Sequence, residues 1–135
     1  MLLNKLTIVT MLIFLSNSSA FAENFKNGTY TSFEYHEESG DIVGIEISII
    51  PSRTEYWVVF QESQGEPRAP IIVPAKIYND TITFELPDSS NYSGRFVGKF
   101  LKGYIVGEFE SSVLAPDGSK FFRLRYGSSY WQATP

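Results

Sequence analysis

The chain has 135 residues and a formal charge of −4; 43% of its residues are hydrophobic and 16% aromatic. That balance excludes a disordered tail, a collagen-like fibre and a coiled coil. With no cysteine, a disulfide framework, a thiol nucleophile, a thiolate zinc site and a lipid-modified cysteine anchor are excluded as well.

The first element is an address. Lys5 precedes an apolar run from Leu6 to Leu15, followed by Ser16-Asn17-Ser18-Ser19 and Ala20-Phe21-Ala22. A positive start, a short apolar core and an A-x-A end predict a secretory signal peptide over 1–22, cleaved after Ala22. The run is too short for a membrane anchor, which needs ~20 apolar residues. The remaining residues, 23–135, fit one domain. They carry 10 Lys and Arg against 15 Asp and Glu, a balance that argues against nucleic acid as a partner. No second apolar run of that kind follows, so the expectation is a periplasmic or secreted protein not embedded in a membrane.

From Gly28 onward, short alternating runs are separated by turn residues. Gly28 to Glu38 reads as one long strand, with Phe33 and Tyr35 opposite in phase to His36. In Ile42 to Ile50, the side chains of Val43, Ile45, Ile47 and Ile49 share a face opposite Glu46 and Ser48; Pro51 ends the run. Glu55 to Gln61 is apolar on both faces and reads as a central strand. Ile71 to Tyr78 contains Pro74, which predicts an edge or a bulge. Asn79-Asp80 makes a tight turn before Thr81 to Leu86, where Ile82, Phe84 and Leu86 point inward.

Two segments then repeat one pattern. Gly94-Arg95-Phe96-Val97-Gly98-Lys99-Phe100 and Gly103-Tyr104-Ile105-Val106-Gly107-Glu108-Phe109 both fit G-x-[FI]-V-G-x-F, nine residues apart. Period two puts the glycines on the same face as Phe96, Phe100, Ile105 and Phe109. Glycine alternating with a large apolar residue lets a strand bend and leaves room for a neighbouring ring. Lys120 to Tyr126 forms a last strand, with Arg123 and Arg125 opposite Phe122, Leu124 and Tyr126; Ser129 to Gln132 adds a short closing stretch. The prediction is an all-β domain of about eight antiparallel strands in a meander, closed as a barrel or flattened into a barrel-like sandwich.

Gly28-Thr29-Tyr30 near the start, the hairpin-linked strands, and a basic residue on the last strand resemble the lipocalin and fatty-acid-binding class of up-and-down barrels. The resemblance implies that Arg123 or Arg125 covers the first-strand aromatic. Tyr30 stands where such barrels often carry tryptophan, and the other lipocalin motifs and the flanking helix are missing. Only the architecture carries over.

Chemistry is harder to place. His36 is the one histidine and is predicted to face solvent, and no G-x-S-x-G elbow accompanies it. Glu37, Glu38 and Asp41 share a turn but lack the spacing of a calcium loop. No catalytic set, metal site or cofactor is predicted, and the chain is expected not to be an enzyme. Two non-catalytic functions follow. In one, a small apolar ligand lies inside the barrel against Phe96, Phe100, Ile105 and Phe109. In the other, the protein binds an envelope protein, as an inhibitor or immunity-type protein does, through outward Trp57 and Tyr104 and the acidic turn of Glu37, Glu38 and Asp41. A cavity in the barrel favours the first; a filled core with an exposed aromatic patch favours the second.

Overall fold

The computed structural model of the chain describes residues 24–111 and 113–133. The signal peptide and its cleavage point lie outside the described residues. Nine strands are present among the described residues: β1 (Gly28–Thr31), β2 (Glu34–His36), β3 (Asp41–Pro51), β4 (Tyr56–Gly65), β5 (Ile71–Tyr78), β6 (Thr81–Leu86), β7 (Gly94–Leu101), β8 (Tyr104–Phe109) and β9 (Phe122–Gly127). A helical turn, α1 (Tyr130–Ala133), follows. From β3 to β9 each strand pairs antiparallel with the next, and β1 pairs with both β3 and β9. This closes an eight-stranded antiparallel barrel, with β2 as an extra strand beside β3. Closure removes the open sheet edges that invite unwanted pairing.

The alternation read in the sequence sorts the side chains. Ile45, Ile47 and Ile49 on β3, Ile82, Phe84 and Leu86 on β6, and Phe122 and Leu124 on β9 are all buried in one core. An eight-stranded barrel has an interior just wide enough for side chains to fill, and here rings fill it. Phe84 stacks on Phe96 at 4.9 Å, Phe96 meets Phe109 at 4.9 Å, and Phe109 meets Phe122 edge-on at 5.3 Å.

The predicted first strand is interrupted. β1 and β2 keep one register against β3, Thr31 opposite Glu46 and Glu34 opposite Val43, but the ladder breaks at Ser32 and Phe33. Gly44 lies opposite the break with a φ of 123°, and a Cβ there would stand 2.8 Å from the Ser32 carbonyl carbon. The Ser32 hydroxyl accepts the Ile45 N–H at 3.0 Å, replacing part of the ladder. With the register kept, period two from inward Tyr30 puts Phe33 on the outside, where it packs on Tyr130 and Trp131. Tyr35, expected to share its face, is exposed together with His36.

Three features of the structure depart from or add to the sequence reading. The closing stretch is helical, and it covers Glu46, which therefore is buried although it points outward. The Glu46 carboxylate accepts the Ser129 hydroxyl at 2.6 Å and the Tyr130 N–H at 2.9 Å. Neither Arg123 nor Arg125 covers Tyr30. That place belongs to Tyr126, directly opposite it in register, with ring centroids 5.1 Å apart. Both arginines face outward, because period two puts them on the other side of β9 from Leu124. Pro74 marks neither an edge nor a bulge. It lies in an inner strand, where the β5–β6 ladder begins only at Ala75, consistent with a residue that has no N–H to donate.

Candidate functional site

Phe96, Phe100 and Ile105 are fully buried and Phe109 nearly so. The repeated motif explains how they fit. A Cβ on Gly98 would lie 2.7 Å from the Phe96 ring and 2.8 Å from Ile105 Cγ2, and a Cβ on Gly107 would run into the Phe96 ring. Gly98 and Gly107 face each other across β7 and β8. The two glycines therefore form a floor on which the Phe96 ring lies, and the space they leave is already occupied.

Both ends of the barrel are stoppered. At one end Phe25 packs on Tyr56 and Phe100, and the Tyr30 hydroxyl donates to the Lys26 carbonyl at 2.8 Å. At the other end the loop from Pro87 to Ser93 folds inward and inserts Tyr92 against Phe109 and Phe122. Glu62 ties this loop down. It is the next inward residue after Phe60, and only 2% of it is exposed. Its carboxylate takes the Arg68 guanidinium at 3.0 Å, the Ser90 hydroxyl at 2.9 Å and the Asn91 N–H at 3.1 Å. A buried carboxylate persists where such partners replace its water. Burial also pushes the Tyr92 and Tyr30 phenols above their ordinary pKa. For Tyr92 the Gln64 hydrogen bond pulls the other way and the Glu62 charge adds to the rise; for Tyr30 the Lys26 hydrogen bond opposes it and Tyr126 adds to it.

The outer surface carries two contrasting faces. On β3, β4 and β5 the register aligns Ile50 with Trp57 and Trp57 with Pro74, while Ser48, Val59 and Ile72 form the next row. Ile72 is 65% exposed and Ile50 49%. Trp131 extends this apolar face, held by its indole N–H donating to Gln61 at 2.7 Å. On β7, β8 and β9 the outward residues are mixed: Arg123 lies over the Tyr104 ring at 4.1 Å, and Lys120 meets Glu108 at 3.7 Å.

The predicted interaction residues are not brought together. Trp57 on β4 and Tyr104 on β8 stand on opposite sides of the barrel, with three strands between them in either direction. Glu37 and Glu38, in the turn between β2 and β3, and Asp41, at the start of β3, are exposed. Ile50 and Ile72, which complete the face around Trp57, were not singled out by sequence. Two alternating strands with outward isoleucines were the available signal. Glu62 and Tyr92 gave none, because a lone Glu at a strand end and a lone Tyr in a polar loop are ordinary surface residues in sequence. Clefts open at the surface: one of 420 Å³ beside Pro74, Thr83 and Arg95, and one of 290 Å³ where Ser32 and Glu34 face Phe122 and Arg123. Among the described residues no group of three His, Cys, Asp or Glu is placed to hold a metal ion, and no helix is long and apolar enough to cross a membrane.

The architecture is a closed eight-stranded antiparallel barrel with one extra strand, compatible with a calycin-type fold. No known family, no curated protein and no solved structure matches the chain.

Proposed function

We propose that this chain is an exported, non-catalytic interaction protein of the cell envelope, of the inhibitor or immunity type, which binds a partner protein on the outside of its barrel. One observation carries the reading: the barrel interior is occupied by packed rings while the outer face of β3–β5 leaves Ile50, Ile72 and Trp57 in or near solvent. An apolar surface cluster of this kind is a usual mark of a protein contact. Export rests on Lys5, the apolar run from Leu6 to Leu15 and Ala20-Phe21-Ala22.

The other reading, a small apolar ligand in the barrel, draws support from the barrel architecture itself. For Phe96, Phe100, Ile105 and Phe109 to line a ligand, at least one ring must leave its packed position and one stopper must open. The two readings part in a single comparison. Purified protein is immobilised and exposed to envelope extract, alongside an Ile72→Lys variant; native mass spectrometry of the eluted wild type follows. The interaction reading expects a stoichiometric protein partner that Ile72→Lys no longer retains. A co-purifying apolar small molecule with no protein partner would overturn it in favour of the ligand reading.

A further inference from the structure

The barrel distributes its charge unevenly. Although the whole chain is acidic, the outer face of β7–β9 gathers cations: Lys99 on β7, Lys102 in the following turn, and Arg123 and Arg125 on β9, all exposed. No carboxylate stands opposite any of them in the sheet. Lys99 faces Thr81 and Val106, Arg123 faces Val106, and Arg125 faces Tyr104 and Thr31. Of the ion pairs among the described residues, Arg68–Glu62 lies elsewhere, and Lys120–Glu108 lies on this face but engages none of these four cations. The Arg123 guanidinium lies 4.1 Å from the centroid of the Tyr104 ring, an attraction of ring face to cation that holds the planar fork in place without using up its donors.

We infer that this face is a second docking surface, built for an acidic segment of a partner protein. The inference rests on the interaction reading but uses a different side of the barrel. Three features select the partner's chemistry. Arg123 and Arg125 are two residues apart on one strand, so their heads follow the ~6.6 Å repeat of alternate strand positions. Alternate carboxylates on an extended peptide repeat at the same distance, and each can take a guanidinium fork. Tyr104 and Val106, between the cations, supply apolar contact that a peptide's intervening side chains match. The chain's overall charge of −4 repels densely charged polymers and anionic bilayers at long range, so the patch favours a short acidic segment over nucleic acid or a lipid surface.

The test is a fluorescence-anisotropy titration of the protein with a dye-labelled synthetic peptide alternating Glu and Leu. Its Gln-for-Glu analogue, single-stranded DNA and phosphatidylglycerol vesicles serve as competitors. The acidic peptide should bind, weaken as salt rises, and lose roughly tenfold or more in affinity with Arg123→Glu/Arg125→Glu. Lys99→Glu should weaken it too, whereas Lys76→Glu, which alters another exposed cation on β5, should not. Arg123→Lys, which keeps the charge and loses the planar stack, should bind less tightly than wild type. Urea midpoints confirm that each variant is folded. Equal loss with Lys76→Glu would reduce the effect to unspecific attraction, and a peptide that fails to bind would overturn the inference. Stronger binding of the DNA or the vesicles through Arg123 and Arg125 would overturn it as well. A partner captured through Ile72 while the acidic peptide is ignored would remove this surface and leave the interaction reading standing.

Discussion

Phe96 and Gly107 compete for one space. The phenyl ring of residue 96 fills the volume into which any side chain at position 107 would grow, and Gly98 flanks the same ring from its own strand. The contact joins β7 to β8 at the centre of the barrel, with Phe84, Phe96 and Phe109 in ring contact around it.

Gly107→Ala and Gly98→Ala should therefore each destabilise the fold, by ~1–3 kcal/mol as overpacking usually does. The larger loss is expected at position 107, where the ring and the Val97 carbonyl both block the new atom. Adding Phe96→Leu should recover part of the Gly107→Ala loss, because the two changes act on one volume and cannot be additive. Urea midpoints of the single and double variants check this. Midpoints equal to wild type would mean that the repeated motif has no packing role.

The latch at the barrel end gives a second expectation. Glu62→Ala removes the acceptor that holds Arg68, Ser90 and Asn91. Losing one partner of a fully buried ion pair costs ~3–5 kcal/mol. The Arg68 side chain is 48% exposed and regains water, so the expected cost is nearer ~1–3 kcal/mol. Hydrogen exchange should localise the effect, with the amides of Asn91 and Tyr92 losing protection before those of β7. Uniform loss of protection across the barrel would show that Glu62 does not act through the loop.

Much of this architecture was legible in the chain because period-two alternation is a local signal. β5 and β6 fall on the residues that alternation marks, and β3, β7 and β8 differ from it by about one residue at an end. The inward face of β7 and β8 was readable for the same reason. What stayed hidden depends on contacts distant in sequence. Glu46 looks like a solvent-facing strand residue until Ser129 and Tyr130, over 80 positions later, fold onto it. Tyr126 displaces the expected arginine over Tyr30 only because barrel closure sets Tyr30 opposite Tyr126. Phe33 lies outward because barrel closure sets Tyr30 inward against Ile47, and period two then puts residue 33 on the other face. Of the interaction residues, Trp57 and Tyr104 lie on outward rows, and their separation by half the barrel required the strand order.

The two buried phenols predict how the fold responds to alkali. Tyr30 and Tyr92 have folded-state pKa values raised by burial, against an unfolded value of about 10. Below that value both states keep the proton and the contribution to stability is intact. As pH rises through the folded pKa it is lost, since the unfolded chain releases the proton first. Urea midpoints followed from about pH 8 to 11 should fall at the alkaline end. Tyr30→Phe/Tyr92→Phe, which cannot ionise at these positions, should fall less over the same range. Parallel curves for wild type and variant would contradict the assignment.

The central claim is that this barrel is filled and does its binding on the outside, and xenon uptake tests it most directly. Xenon enters dry apolar cavities, including those opened by truncating a core side chain. Crystals of wild type and of Phe96→Ala, pressurised side by side, should differ: no xenon site among Phe60, Phe84, Phe96 and Phe109 in the wild type, and one at the vacated ring position in the variant. The same variant should lose the ~3–5 kcal/mol typical of truncating a packed Phe. An ordered xenon site within the wild-type barrel, together with a Phe96→Ala cost well below that range, would contradict the claim and return the interior to a ligand.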